Sequence, residues 1–161
     1  MFMKFLRWLC AGVGSLVVVA LLLDTFGGYL FDGPVGPIPG GRMEGPVSDD
    51  ADPDWSNLEL VIELEIRPSK PWSLSVWNAV VDGELYVPSA KGKSRRWTHV
   101  ALEDPRVRVR TGGKIYERRL ERVTDRELLV KVRTELGRRY ELDGDAEDTD
   151  DGLWVFRVAP R

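Results

Sequence analysis

Apolar and acidic side chains alternate along residues 57–66, the first stretch of the chain with a period of two. Acidic residues occupy most of the positions between the apolar ones. A period of two predicts a strand with one face on a core and the other toward solvent. The apolar set consists of Leu58, Leu60, Ile62, Leu64 and Ile66.

Two short turns predict β-hairpins in the centre of the chain. Asp82-Gly83 follows a β-rich run, and Gly112-Gly113 follows a run in which valine alternates with arginine. A type I′ turn requires positive φ at both central residues, and these pairs accept it at low cost. A last apolar run lies near the C-terminus. The predicted strands therefore cover residues 57–66, 73–81, 84–87, 106–110, 114–123 and 153–158.

Two helices are predicted between these strands. A short helix over residues 95–103 ends before Pro105, because the residue that precedes a proline is pushed out of the helical region. Thr124 and Glu127 have the spacing of a capping box, which predicts the start of a second helix. Gly137 predicts its end.

The order of these elements predicts the fold class. Six strands in mostly antiparallel connections, with one helix after the third strand and one after the fifth, indicate a mainly β domain of the α+β class. A small closed or partly closed barrel fits this order. A twisted open sheet with both helices on one face is the alternative.

The N-terminal stretch has the composition of a membrane segment. Residues 8–23 contain no charged side chain. A helix over them spans about 24 Å at roughly 1.5 Å per residue, somewhat short of the ~30 Å hydrocarbon core, and flanking residues can extend it. Lys4 and Arg7 precede the run and Asp24 follows it. The positive-inside rule then predicts a single pass through the inner (plasma) membrane, with the barrel on the periplasmic or extracellular side. A cleaved signal peptide is the alternative.

Composition divides the chain into three parts. Residues 32–41 are rich in proline and glycine and residues 48–54 are acidic, which is typical of a linker. We therefore expect an anchor over residues 1–31, a linker over 32–56 and a barrel domain over 57–161.

Charge and rare residues exclude several classes of function. The net charge of -3 and the pI near 5.3 argue against a nucleic-acid-binding protein. His99 and Cys10 are each the only residue of their type, so neither a zinc site nor a catalytic triad is expected. The acidic residues 143–151 predict a solvated loop, with weak calcium binding as the less favoured reading.

Cations are concentrated in the centre of the chain. A basic loop leads into the first predicted helix and combines hydroxyl groups, cations and a glycine, which is chemistry that favours a phosphate. A solvated loop remains the alternative. The candidate anion-binding residues are Ser89, Lys91, Lys93, Ser94, Arg95 and Arg96. Arginines at 106, 108 and 110 predict either an outward charged face or cross-strand pairs with the glutamates at 59, 63 and 65.

The segment from Asp82 to Asp125, with its Asp-Gly turn, the helix carrying Trp97, the Asp-Pro stop and the Gly-Gly turn, resembles the split β-barrel of flavin- and deazaflavin-binding proteins. Within that superfamily it is most similar to the deazaflavin-dependent nitroreductase group, followed by the pyridoxamine phosphate oxidase relatives. The resemblance implies a six-stranded split β-barrel. It also implies FMN or a deazaflavin coenzyme, whose phosphate lies at the basic loop and whose ring lies near Trp77 and Trp97.

In that superfamily the cofactor carries out hydride transfer, so the resemblance implies an oxidoreductase acting on a small organic acceptor. Many members also pair as homodimers, so it implies a possible homodimer. It assigns no catalytic residue. The deazaflavin group carries a GRKSG motif before its second strand, whereas this chain reads Arg67-Pro68-Ser69-Lys70-Pro71-Trp72. Prolines remove backbone donors. This departure favours an alternative, a binding or assembly module at the membrane surface that keeps the fold without a cofactor. Tryptophans of the barrel, including Trp72, can equally be core residues.

Overall fold

The computed structural model describes residues 32–67, 69–142 and 152–161. Eight strands and two α-helices lie within them, together with a 3₁₀ turn at Gly92–Ser94. The predicted anchor at residues 1–31 and the predicted acidic loop at 143–151 lie outside the described residues. The elements are β1 (Val47–Ser48), β2 (Val61–Ile66), β3 (Trp72–Trp77), β4 (Ala79–Val81), β5 (Glu84–Ser89), α1 (Arg96–Glu103), β6 (Arg106–Thr111), β7 (Lys114–Arg122), α2 (Arg126–Tyr140) and β8 (Trp154–Pro160).

The strands form one curled sheet in the order β3-β2-β6-β7-β8-β5-β4, and β1 pairs with β7 in parallel. All pairs along this order are antiparallel. The two strands at the ends of the order, β3 and β4, are separated in the chain by Asn78 alone. One bent segment therefore supplies both edges of the sheet, which curls round into the barrel that the element order predicts.

The bend at Asn78 is held by hydrogen bonds from three directions. The Asn78 side chain is buried, and its Nδ2 donates to the carbonyl oxygens of Glu59 at 2.8 Å and Leu60 at 3.2 Å. The backbone N–H of Asn78 donates to the hydroxyl of Tyr140 at 2.8 Å, at the end of α2. The Tyr140 ring also stacks on the Trp77 ring, with 4.4 Å between centroids. Helix α2 is thereby attached to the point where the strand changes edges.

This bend corrects the prediction of one strand over residues 73–81. Only Ala79–Val81 pairs with β5 across the Asp82-Gly83 turn, whereas Trp72–Trp77 pairs with β2. The turn itself is confirmed, since φ is +53° at Asp82 and +83° at Gly83. The Gly112-Gly113 turn is confirmed in the same way, with φ of +55° and +72°.

The first predicted strand begins later than expected, at Val61 instead of residue 57. The backbone carbonyls of residues 58–60 bond to side chains instead of to a neighbouring strand. Arg139 donates to the carbonyl of Leu58 at 2.6 Å, and Asn78 Nδ2 donates to the carbonyls of Glu59 and Leu60. Leu60, predicted to face the core, is exposed for that reason.

Helix α1 is confirmed to within one residue, while both ends of α2 differ from the prediction. The N-cap is Asp125, whose Oδ1 accepts from Leu128 N at 2.8 Å, so Thr124 does not cap the helix. The helix continues through Gly137 to Tyr140. The bonds that Arg139 and Tyr140 make to the bend hold the last turn in place, so tertiary contacts override the glycine.

The core has two parts. The larger part fills the barrel and includes Leu64, Ile66, Val87 and Phe156. The smaller part lies between the β4, β5 and β8 strands and α2, where Val132 and Leu136 are buried. Both helices therefore cover the barrel with an apolar face.

Two of the arginines on β6 form the predicted cross-strand pairs. Arg110 pairs with Glu63, and Arg108 Nη1 lies 2.9 Å from Glu65 Oε2, in the register of β2 on β6. This face is not open to solvent, because Glu65 is 0% exposed and the Arg108 side chain is 13% exposed. Arg106 instead pairs with Asp104 at 2.8 Å.

Residues 32–43, which we call the clamped loop, cover these ion pairs. Met43 N donates to Glu65 Oε2 at 2.7 Å, and Arg110 Nη1 donates to Asp32 Oδ1 at 2.7 Å. The hydrogen bond from Glu44 N to Asp32, helped by Arg110, lowers the pKa of the Asp32 carboxyl below its ordinary value. The division into anchor, linker and barrel stays a prediction, but the described part of the predicted linker packs on the barrel.

None of the helices in the described part of the chain combines the length and the apolar character needed to cross a membrane.

We predict that Asn78→Ala destabilises the fold by about 1–3 kcal/mol, because it removes both hydrogen bonds that the buried Asn78 side chain donates to the carbonyls of Glu59 and Leu60. Urea unfolding followed by tryptophan fluorescence measures the change. Asn57→Ala is the matched control, since Asn57 is exposed and, within the described part of the chain, its Nδ2 bonds to the neighbouring Ser56 Oγ alone. Equal unfolding midpoints for the two variants would contradict the role assigned to the bend.

Candidate functional site

An open cleft of about 1360 Å³ lies between β3, the loop that leads into α1, and one face of α2. The tip of the clamped loop forms part of its wall. The face of α2 that lines the cleft has helical spacing, with Val130, Arg133, Thr134 and Gly137 at positions i, i+3, i+4 and i+7. Val132 and Leu136 of α2 pack in the smaller core, and Leu136 also lines the cleft, so one helix serves both the fold and the cleft.

The charged side chains that line the cleft are all cationic. They are Arg95, Arg96 and Arg133, and among the described residues that line it there is no aspartate or glutamate. Like charges gathered in a concave surface with apolar walls focus a positive potential. The cleft therefore suits an anionic ligand.

The start of α1 strengthens this preference. Arg95 occupies the N-cap position without a side-chain cap, and the first turn contains no acidic residue. Cations at a helix N-terminus oppose the helix dipole, whereas an anion there would satisfy both the dipole and the arginines. Ser89 is 4% exposed and lines the same end of the cleft, and its Oγ has no hydrogen-bond partner within the described residues. Buried hydroxyl groups are normally bonded, so an unbonded one in a residue that lines the cleft is a candidate contact for a ligand.

The loop before α1 is held rigidly against β8. Thr98 Oγ1 lies 2.6 Å from the carbonyl oxygens of both Gly92 and Arg95, which ties the 3₁₀ turn to the helix. Gly92 lies so close to the Trp154 side chain that a Cβ on it would approach Trp154 Cβ to 2.3 Å. Only glycine fits here, and this contact sets the position of the basic loop.

Aromatic rings line the rest of the cleft. Arg96 lies over the Trp72 ring, 5.4 Å from its centroid, which fixes the direction of that guanidinium. Trp77 is 46% exposed and stacks on Tyr140. Trp97 is 8% exposed and packs against Phe156 at 5.5 Å, so most of its ring belongs to the barrel core.

The structure brings together part of the predicted site. Ser89, Arg95, Arg96, Trp77 and Trp97 line the cleft. Lys91, Lys93 and Ser94 belong to the adjoining 3₁₀ turn and do not line it. The Ser94 hydroxyl bonds to the carbonyl of Lys91 at 3.0 Å, and the carbonyl of Lys93 contacts His99 Nε2 at 2.7 Å. His99 is an exposed helix residue.

Sequence reasoning missed two walls of the cleft. Arg133 and its neighbours on α2 had a detectable signal, because their spacing marks a second face beside the core face of that helix. The sequence contains no such signal for Gly36, Pro37 and Pro39, since a proline- and glycine-rich stretch does not indicate which surface it packs on. Arg67 and Lys70, in the segment that departs from the deazaflavin motif, do not line the cleft.

The family model described as “Uncharacterized protein conserved in bacteria (DUF2255)” matches residues 59–149, more than half of the chain. The chain belongs to this family. The matched region contains β2 to β7 and both helices, while the clamped loop and β8 lie outside it. A comparison with curated proteins gave no match.

Solved structures with similar folds include three at low sequence identity. The conserved hypothetical protein Rv2991 from Mycobacterium tuberculosis is 22% identical with a TM-score of 0.50, over 64% of this chain and 74% of that one. A “Putative Pyridoxamine 5'-phosphate oxidase” from Listeria innocua is 17% identical with a TM-score of 0.51, over 64% and 85%. Atu2129, a protein of unknown function from Agrobacterium tumefaciens, is 14% identical with a TM-score of 0.52, over 64% and 49%. The split β-barrel of the pyridoxamine phosphate oxidase-like proteins, predicted from the resemblance, is confirmed as the fold. The predicted count of six strands is wrong, since the described residues form eight, β3 and β4 being separate and β1 being added.

We predict opposite stability changes at two glycines. Gly92→Ala should destabilise the fold by about 1–3 kcal/mol, because the added methyl group meets Trp154. Gly137→Ala should stabilise it by up to about 1 kcal/mol, since this glycine lies within α2 with nothing within 4 Å of an added Cβ. Thermal unfolding of both variants checks the signs. A neutral Gly92→Ala would show that the basic loop is free to move away from Trp154.

Proposed function

We propose that this protein binds FMN or a deazaflavin coenzyme in the cleft and acts as an oxidoreductase that transfers hydride to a small organic acceptor. One observation carries the proposal: Arg95, Arg96 and Ser89, whose buried hydroxyl has no hydrogen-bond partner within the described residues, line one cleft at the uncapped start of α1 together with tryptophans. A coenzyme with a phosphate at one end and a planar ring system at the other matches both parts. The name of the Listeria innocua neighbour, which has the same fold, is in keeping with a phosphate-bearing ligand.

The residues of this chain would divide the work of binding. Arg95, Arg96 and Ser89 would hold the phosphate, with the backbone of the first turn of α1 behind them. Trp72 and Trp77 would border the ring. The apolar side chains Leu74, Val76 and Leu136 would exclude water from one side of it. The coenzyme, when bound, supplies the hydride chemistry, so the protein needs no acid–base pair for that step.

A second candidate, a non-catalytic binding or assembly module, has one observation in its favour. Arg67 and Lys70, at the place of the phosphate-binding motif of the deazaflavin group, lie outside the cleft, and Lys70 N bonds back to the Arg67 carbonyl at 2.9 Å. Titration separates the two candidates. Binding of neither coenzyme at tens of micromolar would remove the oxidoreductase proposal and leave the module.

We predict that Arg96→Ala raises the Kd for FMN or the deazaflavin coenzyme about tenfold or more, because a hydrogen bond to a charged group contributes about 1.5–3 kcal/mol. Quenching of tryptophan fluorescence measures the Kd. Arg106→Ala is the matched control, since Arg106 is exposed, pairs with Asp104 and does not line the cleft. Equal affinities for Arg96→Ala and the unsubstituted protein would contradict the assignment of the phosphate to this end.

We also propose that residues 8–23 hold the protein in the bilayer of the inner membrane, with the barrel on the periplasmic or extracellular side, and that two copies pair. The uncharged run at 8–23 supports the first part. Val130 and Leu142, exposed apolar side chains beside the cleft, support the second.

Both parts can be measured. A reporter fused to the C-terminus should be active only outside the cytoplasm, and activity inside would contradict the orientation. Sedimentation in detergent should give twice the 18.2 kDa mass of one chain. A single-chain mass would contradict pairing.

A further inference from the structure

The clamped loop is held at its base by Arg108 and Arg110, the same arginines that pair β6 with β2. Arg108 Nη1 donates to the Met43 carbonyl at 2.9 Å as well as to Glu65. Arg110 donates to the carboxylate of Asp32 and, at 3.1 Å, to the Asp32 carbonyl. Because Glu65 is fully buried, this pairing is shielded from water and holds the base of the loop firmly.

The tip of the loop, residues 36–39, lies along the free edge of β3. Gly40 exchanges two backbone hydrogen bonds with Ser73, at 2.9 and 3.0 Å. Ser75 Oγ donates to the Gly36 carbonyl at 3.0 Å. Between these attachments, Gly36, Pro37 and Pro39 line the cleft. The loop thus extends the wall that β3 begins.

This part of the wall differs chemically from the anion-binding end. It carries no charged side chain, and its two prolines have no N–H to donate. The Gly36 carbonyl already accepts from Ser75. The surface it offers is therefore mainly apolar and poor in hydrogen-bond donors, which suits an uncharged ring and not a phosphate.

The position of the loop tip along β3 agrees with its apolar chemistry. On β3, Trp72 lies at the end where Arg96 stacks on it, and Trp77 lies at the other end with Tyr140. The loop is attached between them, at Ser73 and Ser75.

We propose that the tip of the clamped loop is a specificity-determining wall that contacts the uncharged planar part of the coenzyme, away from the phosphate held at Ser89–Arg96. This inference rests on the proposed function. It concerns residues outside the region that the family model matches.

A thiol placed on the tip tests the contact. Pro37 is exposed, and Cys10 is the only native cysteine, so the whole chain is prepared as Pro37→Cys in a Cys10→Ser background. Its rate of reaction with a maleimide is measured alone, with FMN or the deazaflavin coenzyme, and with inorganic pyrophosphate. At about ten times its Kd the coenzyme should slow the reaction about tenfold, because only the ligand-free fraction reacts. Pyrophosphate should leave the rate almost unchanged.

Lys114→Cys in the same background is the control, because Lys114 is exposed and does not line the cleft. Neither ligand should change its rate. Coenzyme binding detected by fluorescence without slowing of the Pro37→Cys thiol would overturn the wall while leaving the proposed function intact. Equal protection by pyrophosphate would overturn it as well, since the tip would then cover the phosphate. Binding of neither coenzyme by the unsubstituted chain would remove both proposals.

Discussion

The bend at Asn78 is the constraint on which the rest of the structure depends. A sheet of this order has two free edges, and unpaired strand edges are costly and prone to association. One continuous segment changes edges at Asn78, so that β3 and β4 terminate the sheet on both sides. The change of direction leaves backbone carbonyls without strand partners, and the side chains of Asn78, Tyr140 and Arg139 supply the missing donors. Helix α2 is thus needed to complete the barrel.

The same arrangement creates the cleft. With α2 fixed to the bend at its C-terminal end, the face that carries Arg133 stands opposite β3 and the loop before α1. That loop is fixed in turn by Gly92 on Trp154. The cleft is therefore built from elements whose positions are set by packing elsewhere, which is what a preorganised binding site requires.

Part of the fold and of the cleft could be predicted from the sequence, because it depends on local chemistry. The turn at Asp82-Gly83 depends on two residues alone, and the pairing of Glu63 with Arg110 follows once the strands adopt their register. The bend could not be predicted, because the residues around Asn78 favour strands and the hydroxyl that accepts from Asn78 N belongs to Tyr140, far along the chain. The prediction that α2 ends at Gly137 was wrong for the same reason, because contacts made by Tyr140 outweigh the tendency of glycine to end a helix. Three of the six residues predicted to bind an anion, Ser89, Arg95 and Arg96, line the cleft, and they lie close together in the sequence. The walls contributed by α2 and the clamped loop depend on tertiary packing instead.

Topology also explains why one cation-rich stretch supplies both the ion pairs between β6 and β2 and the arginines that line the cleft. Residues 91–122 are strongly basic in the sequence, but β6 lies beside β2, where glutamates alternate with apolar residues. Arg108 and Arg110 are consequently neutralised and hold the clamped loop. Arg95 and Arg96 precede β6 and line the cleft, where no aspartate or glutamate is found among the described lining residues. Their charge remains available to a ligand because the acids of β2 are already occupied by the arginines that follow.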